Sequence, residues 1–187
     1  MSIVNGIDVP ALRETISAIA ADPAKGLVSF NVLTSWAGQT RSESRVKPLH
    51  LGGTAYDRDF VIAADEPEQL LGKNSAPNPQ ELLMAALNAC MLVGYVTAAA
   101  AANVTLTKLE IETTGELDLR GFLNIDPRVK PGYDTLYYTV RISGDGTLEQ
   151  FDAIHQSVIR LSPNRFNIAM PIRLEAKLVV ESSEAYC

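Results

Sequence analysis

A chain of 187 residues, 47% hydrophobic and 20% charged, has the length and composition of one globular domain with a sizeable core. Its 16 Lys and Arg stand against 22 Asp and Glu, a net charge of −6, which disfavours a nucleic-acid partner because such a partner calls for a basic patch. The start Met1-Ser2-Ile3-Val4-Asn5-Gly6 has neither the basic beginning nor the apolar core of a secretion signal, so a cytoplasmic location is expected.

Asp8 opens a short helix whose apolar residues Val9, Leu12, Ile16 and Ile19 recur at helical spacing, and Asp22-Pro23 ends it. Strands are expected over 28–36, about 45–51 (closed by Gly52-Gly53) and 57–63. Asp65-Glu66-Pro67 leads through Gly72 and Pro77 to a long central helix. Residues 106–119 alternate as a strand, with Leu109 and Ile111 on one face, and 121–133 read as a loop carrying Pro127, Pro131 and Gly132. A strand over 136–143 turns at Gly144-Asp145-Gly146. Thr147 and Gln150 form a capping box for a helix with Leu148, Phe151, Ile154, Val158 and Leu161 on one face. Ser162-Pro163-Asn164 stops that helix, and a last strand is expected over 172–180. Strands and helices in this non-alternating order suit an α+β domain with antiparallel sheets on buried helices.

The central helix carries the most information. Asn78 can cap it, Pro79 suits the first helical position, and Glu81 stands where a capping box needs it. From Leu82 to Val104 no residue is charged, and the stretch is long enough to span a bilayer. Its alanines, the interruptions at Asn88, Gly94 and Thr97, and the lack of flanking basic or aromatic residues favour a buried core helix over a membrane span. One thiol, Cys90, lies at mid-length, and it is either a small core residue or a nucleophile. The other cysteine, Cys187, ends the chain on a polar tail, so no disulfide framework is expected. His50 and His155 lack the Cys or His neighbours of a metal site, and no metal or other cofactor is expected.

Pro79-Gln80-Glu81-Leu82-Leu83-Met84-Ala85-Ala86-Leu87-Asn88-Ala89-Cys90 resembles the signature of the OsmC-like proteins, which are related to organic hydroperoxide resistance proteins. Leu161-Ser162-Pro163-Asn164 resembles the second signature of that family. The resemblance covers about 28–180, so residues 1–26 are an N-terminal helical extension on an OsmC-like domain of 27–187. It implies an α+β fold with antiparallel sheets wrapped around the long central helices of an intertwined homodimer, with an active site at each end of the interface. It also implies reduction of organic hydroperoxides by two cysteines: one becomes a sulfenic acid and the other condenses with it. Cys90 matches the first. The second falls on Ser162, which has no thiol to give.

Cys90 lies about 18 Å along its helix, beyond useful reach of the helix dipole, so a cation must come from elsewhere in space. The resemblance assigns that role to an arginine from the early strands, Arg41 by preference or Arg45. Glu81 is nine residues from Cys90 and on the opposite helix face. It either orients the arginine of a partner's site or is only the third residue of a helix cap, and Gln80 is the other family-matched position. His155 is expected to face solvent or the sheet edge, and Arg120, Phe122, Tyr133 and Phe166 are placed where a lid could form. A tail thiol at Cys187 could stand in for the missing second cysteine.

Two functional readings follow. One is a thiol-dependent peroxidase that acts on apolar hydroperoxides through Cys90 and is recycled by an external thiol. The other is a non-enzymatic dimer that binds an apolar small molecule. Ser162 favours the second, and Cys90 with the nearby arginines favours the first, which is preferred.

Overall fold

The structure is a computed structural model that describes residues 2–181; Cys187 and its suggested role lie outside the described residues. The chain opens with a hairpin. Strands β1 (Ile3–Val4) and β2 (Ile7–Asp8) pair across Asn5 and Gly6. These two have φ of 53° and 78°, the left-handed backbone that a two-residue hairpin requires and Asn-Gly adopts most readily. Asp8 then caps α1 (Val9–Ala21) by accepting the Ala11 amide at 3.0 Å. The helix is the one expected, and it stops at Asp22, where a 3-10 turn over Pro23–Gly26 takes over.

The three strands expected between 28 and 63 form as six. Strands β3 (Val28–Ser29), β4 (Val32–Trp36), β5 (Ser42–Val46), β6 (Leu49–Leu51), β7 (Thr54–Tyr56) and β8 (Val61–Ala64) make two antiparallel sheets, in the orders β3-β6-β7 and β4-β5-β8. The first two expected strands are each divided where the chain passes from one sheet to the other, whereas the strand expected over 57–63 is shortened to β8 and β7 forms ahead of it. Between β5 and β6 the division falls at Lys47-Pro48, since proline has no N–H to give to a ladder.

Helix α2 (Pro79–Ala101) begins with a complete capping box. Asn78 Oδ1 accepts the Glu81 amide at 2.9 Å, and Glu81 Oε2 accepts the Asn78 amide at 2.7 Å. Strand β9 (Leu106–Gly115) follows and ends sooner than expected, because Asp118 caps a short helix, α3 (Leu119–Phe122), inside the expected strand end and loop. Strand β10 (Leu136–Gly144), α4 (Leu148–Leu161) and α5 (Pro163–Ala169) complete the order. β9 and β10 pair antiparallel, from Leu136 opposite Gly115 to Ile142 opposite Leu109.

The core lies between this hairpin, α2 and α4. Leu87, Met91, Tyr95 and Ala99, four apart on one face of α2, are buried with Ile154 and Val158 of α4, and Leu109, Ile111, Tyr138 and Val140 of the sheet pack on them. A side chain at Gly94 would stand 3.3 Å from Val158, so glycine lets α4 lie close. The opposite face of α2 is open, with Leu83 and Val93 exposed. A helix apolar on all faces is thus covered by its own chain on one side only.

The α+β class with antiparallel sheets is as expected. The final strand is not formed: among the described residues, 171–181 join no ladder. The segment keeps a strand's alternation, but a strand exists only beside a neighbour, and its own chain offers none.

Candidate active site

Cys90 meets the junction of α4 and α5. Pro163 forces the residue before it out of the helical region, and Ser162 is accordingly extended, with φ −69° and ψ 118°. Ser162 therefore ends α4 and begins α5 at once. A serine in this place ordinarily caps the second helix, but here its hydroxyl makes no capping bond. It donates instead to Cys90 Sγ at 3.5 Å, and the Asn164 backbone N–H donates to the same sulfur at 3.5 Å. Asn164 Nδ2 also donates to the Ala86 carbonyl at 2.9 Å, fixing α5 to α2 one turn before Cys90. Ser162 is buried, with 5% of its surface exposed. Two donors thus converge on one sulfur.

The sulfur opens onto a cavity of about 490 Å³. Along α2 its wall consists of Cys90, Val93, Gly94, Thr97, Ala98 and Ala101, and α4 adds Ser157, Val158 and Leu161. Among the described residues no charged side chain lines it. A thiol at one end of an apolar cavity can react with a small apolar electrophile that offers its polar group to the donor pair.

The other expected site residues lie elsewhere. Glu81 uses its carboxylate in the α2 cap. Arg41 donates from Nη1 to Ser75 Oγ at 2.9 Å and from Nη2 to Glu43 Oε1 at 3.1 Å. Neither Arg41 nor Arg45 lines the cavity, and Gln80 is exposed in the first turn of α2. The single chain thus gathers Cys90, Ser162 and Asn164 and leaves both arginines, Gln80 and Glu81 away from the sulfur. Arg120, Phe122, Tyr133 and Phe166 line no part of the cavity either. Arg120 is paired with Asp118.

His155 does not simply face solvent. Its Nδ1 shares a hydrogen bond with the Tyr95 hydroxyl, and the two rings stack with centroids 6.0 Å apart. Burial, with a smaller contribution from Tyr138, pushes the Tyr95 hydroxyl up to about 12.

Sequence reasoning missed three participants. Asn164 was legible only as part of a helix stop, because a backbone amide leaves no mark in a motif. Leu12 and Ile16 of α1 also line the cavity; their spacing shows that they share a face but not what that face covers.

Among solved structures, the chain is similar to a Psychrobacter arcticus protein of assumed osmotic-stress and detoxification role, with 16% identity over 75% of this chain and 88% of that one and a TM-score of 0.57. It is likewise similar to an OsmC-like protein of Mycoplasma pneumoniae, with 14% identity over 76% and 87% and a TM-score of 0.56. At these identities the likeness is one of fold. No curated protein matches the chain in sequence. The profile described as OsmC-like protein matches residues 72–177, over half of the chain and both elements that meet at Cys90, and the chain belongs to the OsmC-like family.

Proposed function

We propose that the protein is a thiol-dependent peroxidase that reduces organic hydroperoxides at Cys90 and is returned to its thiol by an external reductant. The observation that carries this reading is the pair of donors, Ser162 Oγ and Asn164 N, on a sulfur that opens into an uncharged cavity. The thiolate attacks the terminal oxygen of the hydroperoxide. An S–O bond forms as the O–O bond breaks, and the leaving alkoxide takes a proton and departs as the alcohol. The sulfur is oxidised by two electrons to a sulfenic acid, and the peroxide is reduced by two. An external thiol then attacks that sulfur, forming a mixed disulfide and releasing water, and a second thiol frees Cys90. Ser162 takes no part in electron transfer. It holds a hydrogen bond on the reacting sulfur where a relative with two cysteines would place its second thiol.

The same reading makes the working protein a homodimer in which Arg41 of a second copy, or Arg45 in its place, supplies the cation, with Glu81 orienting it. Location in the cytoplasm and an external thiol as partner belong to the proposal too.

The second reading is a non-enzymatic dimer that binds an apolar small molecule in the same cavity, and serine at position 162 favours it. One experiment separates the two. The protein is treated with one equivalent of cumene hydroperoxide or of hydrogen peroxide in the presence of dimedone, and the Cys90 peptide is followed by mass spectrometry. Faster trapping of sulfenic acid with the organic peroxide is expected, and none in Cys90→Ser. If Cys90 stays unoxidised in the folded protein, the ligand-binding reading replaces the peroxidase.

A further inference from the structure

The junction of α4 and α5 leaves one backbone amide uncommitted. Pro163 has no N–H, so Asn164 carries the first N–H inside α5. The first N–H groups of a helix find no acceptor within it, and the side chain ahead of the helix ordinarily takes one of them. Ser162 makes no such bond, because its hydroxyl donates to Cys90 Sγ instead. The Asn164 N–H points at the same sulfur, with N and Sγ 3.5 Å apart. The ladder joining α5 to its cap begins later, with the Phe166 amide on the Ser162 carbonyl at 2.9 Å. The Asn164 proton can therefore be lost without breaking a rung of the helix.

That nitrogen is held in place from three sides. Asn164 Nδ2 is on the Ala86 carbonyl of α2 at 2.9 Å. Arg165 donates from Nη1 to the Ile159 carbonyl of α4 at 2.8 Å and from Nε to the Tyr138 hydroxyl of β10 at 3.1 Å. Residues 164 and 165 thus pin the first turn of α5 to α2, α4 and the sheet. A nitrogen fixed in contact with the sulfur competes at high effective concentration with any thiol that must diffuse in.

A sulfenic acid is an electrophile that condenses either with a thiol or with a backbone nitrogen. Position 162 offers no thiol, and position 164 offers the nitrogen. We propose that the sulfenic acid of Cys90 condenses with the Asn164 backbone nitrogen to a sulfenamide that ties α2 to α5 and stores the oxidised site until an external thiol opens it. The step rests on the peroxidase reading for its oxidant, an organic hydroperoxide. The nitrogen attacks the sulfur, the S–N bond forms as the S–O bond breaks, and the leaving hydroxide takes the amide proton and departs as water. The sulfur keeps the oxidation level of the sulfenic acid. Ser162, already donating to this sulfur, is at hand to donate to the departing oxygen. An external thiolate then attacks the sulfur and forms the mixed disulfide, and the nitrogen takes a proton back. While the S–N bond stands, the sulfur has no sulfenic acid to pass on to the irreversible sulfinic acid.

The full-length Cys187→Ser protein, which has no other thiol, is oxidised with excess hydrogen peroxide and digested with trypsin without reductant. Excess peroxide oxidises the sulfur whether or not organic hydroperoxides are its substrates. The expected product joins peptide 161–165 to peptide 74–108, lighter by two hydrogens than the separate pair. Fragmentation places the link on the backbone nitrogen of residue 164, and dithiothreitol undoes it. Asn164→Ala keeps the link, since only the side-chain nitrogen is gone. Asn164→Pro, a residue tolerated in a first helical turn, abolishes it and lets sulfinic acid accumulate at Cys90 about tenfold faster or more. Circular dichroism confirms folding, and fragmentation of the protein that keeps Asn164 decides the matter by itself if the proline variant does not fold. Sulfinic acid without a linked peptide, a link at another atom, or a link that survives Asn164→Pro would overturn the proposal. A link that forms with hydrogen peroxide but not with cumene hydroperoxide would uphold the sulfenamide and remove only the organic-peroxidase reading.

Discussion

Asp65 is a buried carboxylate with five hydrogen-bond donors around it. Thr40 Oγ1 and Ser75 Oγ each donate at 2.7 Å, and the amides of Glu66, Lys73 and Ser75 donate at 2.9, 3.2 and 3.1 Å. The residue ties the end of β8 and the turn at 73–75 to Thr40, and through Ser75 to Arg41. The Ser75 hydroxyl, then that of Thr40, holds the carboxyl well below the usual carboxylate range, outweighing the opposing effect of burial, with the Ser75 and Lys73 amides adding to it. A carboxyl whose folded value is depressed stabilises the fold above its unfolded value, near 3.9, and that contribution is lost as pH falls toward the folded value. Asp65→Asn puts an N–H₂ group where a donor already points, so it should lower the urea midpoint at pH 7. It should also flatten the loss of stability below about pH 4. Urea melts of both proteins between pH 7 and pH 3 measure this, and parallel curves would mean that Asp65 does not set the acid limit.

At the scale of elements, the bend between α4 and α5 brings position 162 to the sulfur. It was legible, because Ser-Pro forbids helix continuation at the serine. Both capping boxes, Asn78 with Glu81 and Thr147 with Gln150, were legible for the same reason: their chemistry is local and their spacing fixed. The N-terminal hairpin carried an equally local signal in Asn5-Gly6. Strand division between 28 and 63 was not legible, since pairing partners rather than propensity decide where a short strand leaves one sheet for another. Nor was the placing of Leu12 and Ile16 of α1 on the Cys90 cavity, which joins segments far apart in sequence. With Ser162 Oγ 3.5 Å from Cys90 Sγ, Ser162→Cys places a second thiol beside the first at little cost in volume. After oxidation it can condense with the sulfenic acid, releasing water, in an intramolecular step that replaces an encounter with external thiol. Turnover with a dithiol reductant is expected to rise about tenfold or more. Hydroperoxide consumption by wild type, Ser162→Cys and Cys90→Ser measures it, and one shared background rate among folded proteins would leave the peroxidase reading without support.

For the molecule as a whole, the uncovered apolar surface is the controlling fact. Trp36 at the end of β4 and Phe30 between β3 and β4 are 78% and 74% exposed, and Val93 on α2 is 65% exposed. In the final segment Leu174, Leu178 and Val180 are 85%, 86% and 82% exposed, and with Ile172 they share one face of an extended chain. Arg173 pairs with Glu175 at 2.9 Å. An apolar stripe of this kind, on a molecule whose β9–β10 sheet has only two strands and so open edges, would invite indiscriminate association if it stayed bare. In the proposed dimer a second copy would cover the open face of α2 and give 172–180 a strand to pair with. Sedimentation is therefore expected to show a dimer at micromolar concentration, and hydrogen exchange to show slow amides across 172–180. Leu174→Lys with Leu178→Lys places two charges on that stripe and should shift the protein toward monomer while the 172–180 amides become fast. A folded wild-type monomer at that concentration would sink the dimer. A dimer with fast amides over 172–180 would keep the assembly but assign its interface to α2 and the N-terminal sheets.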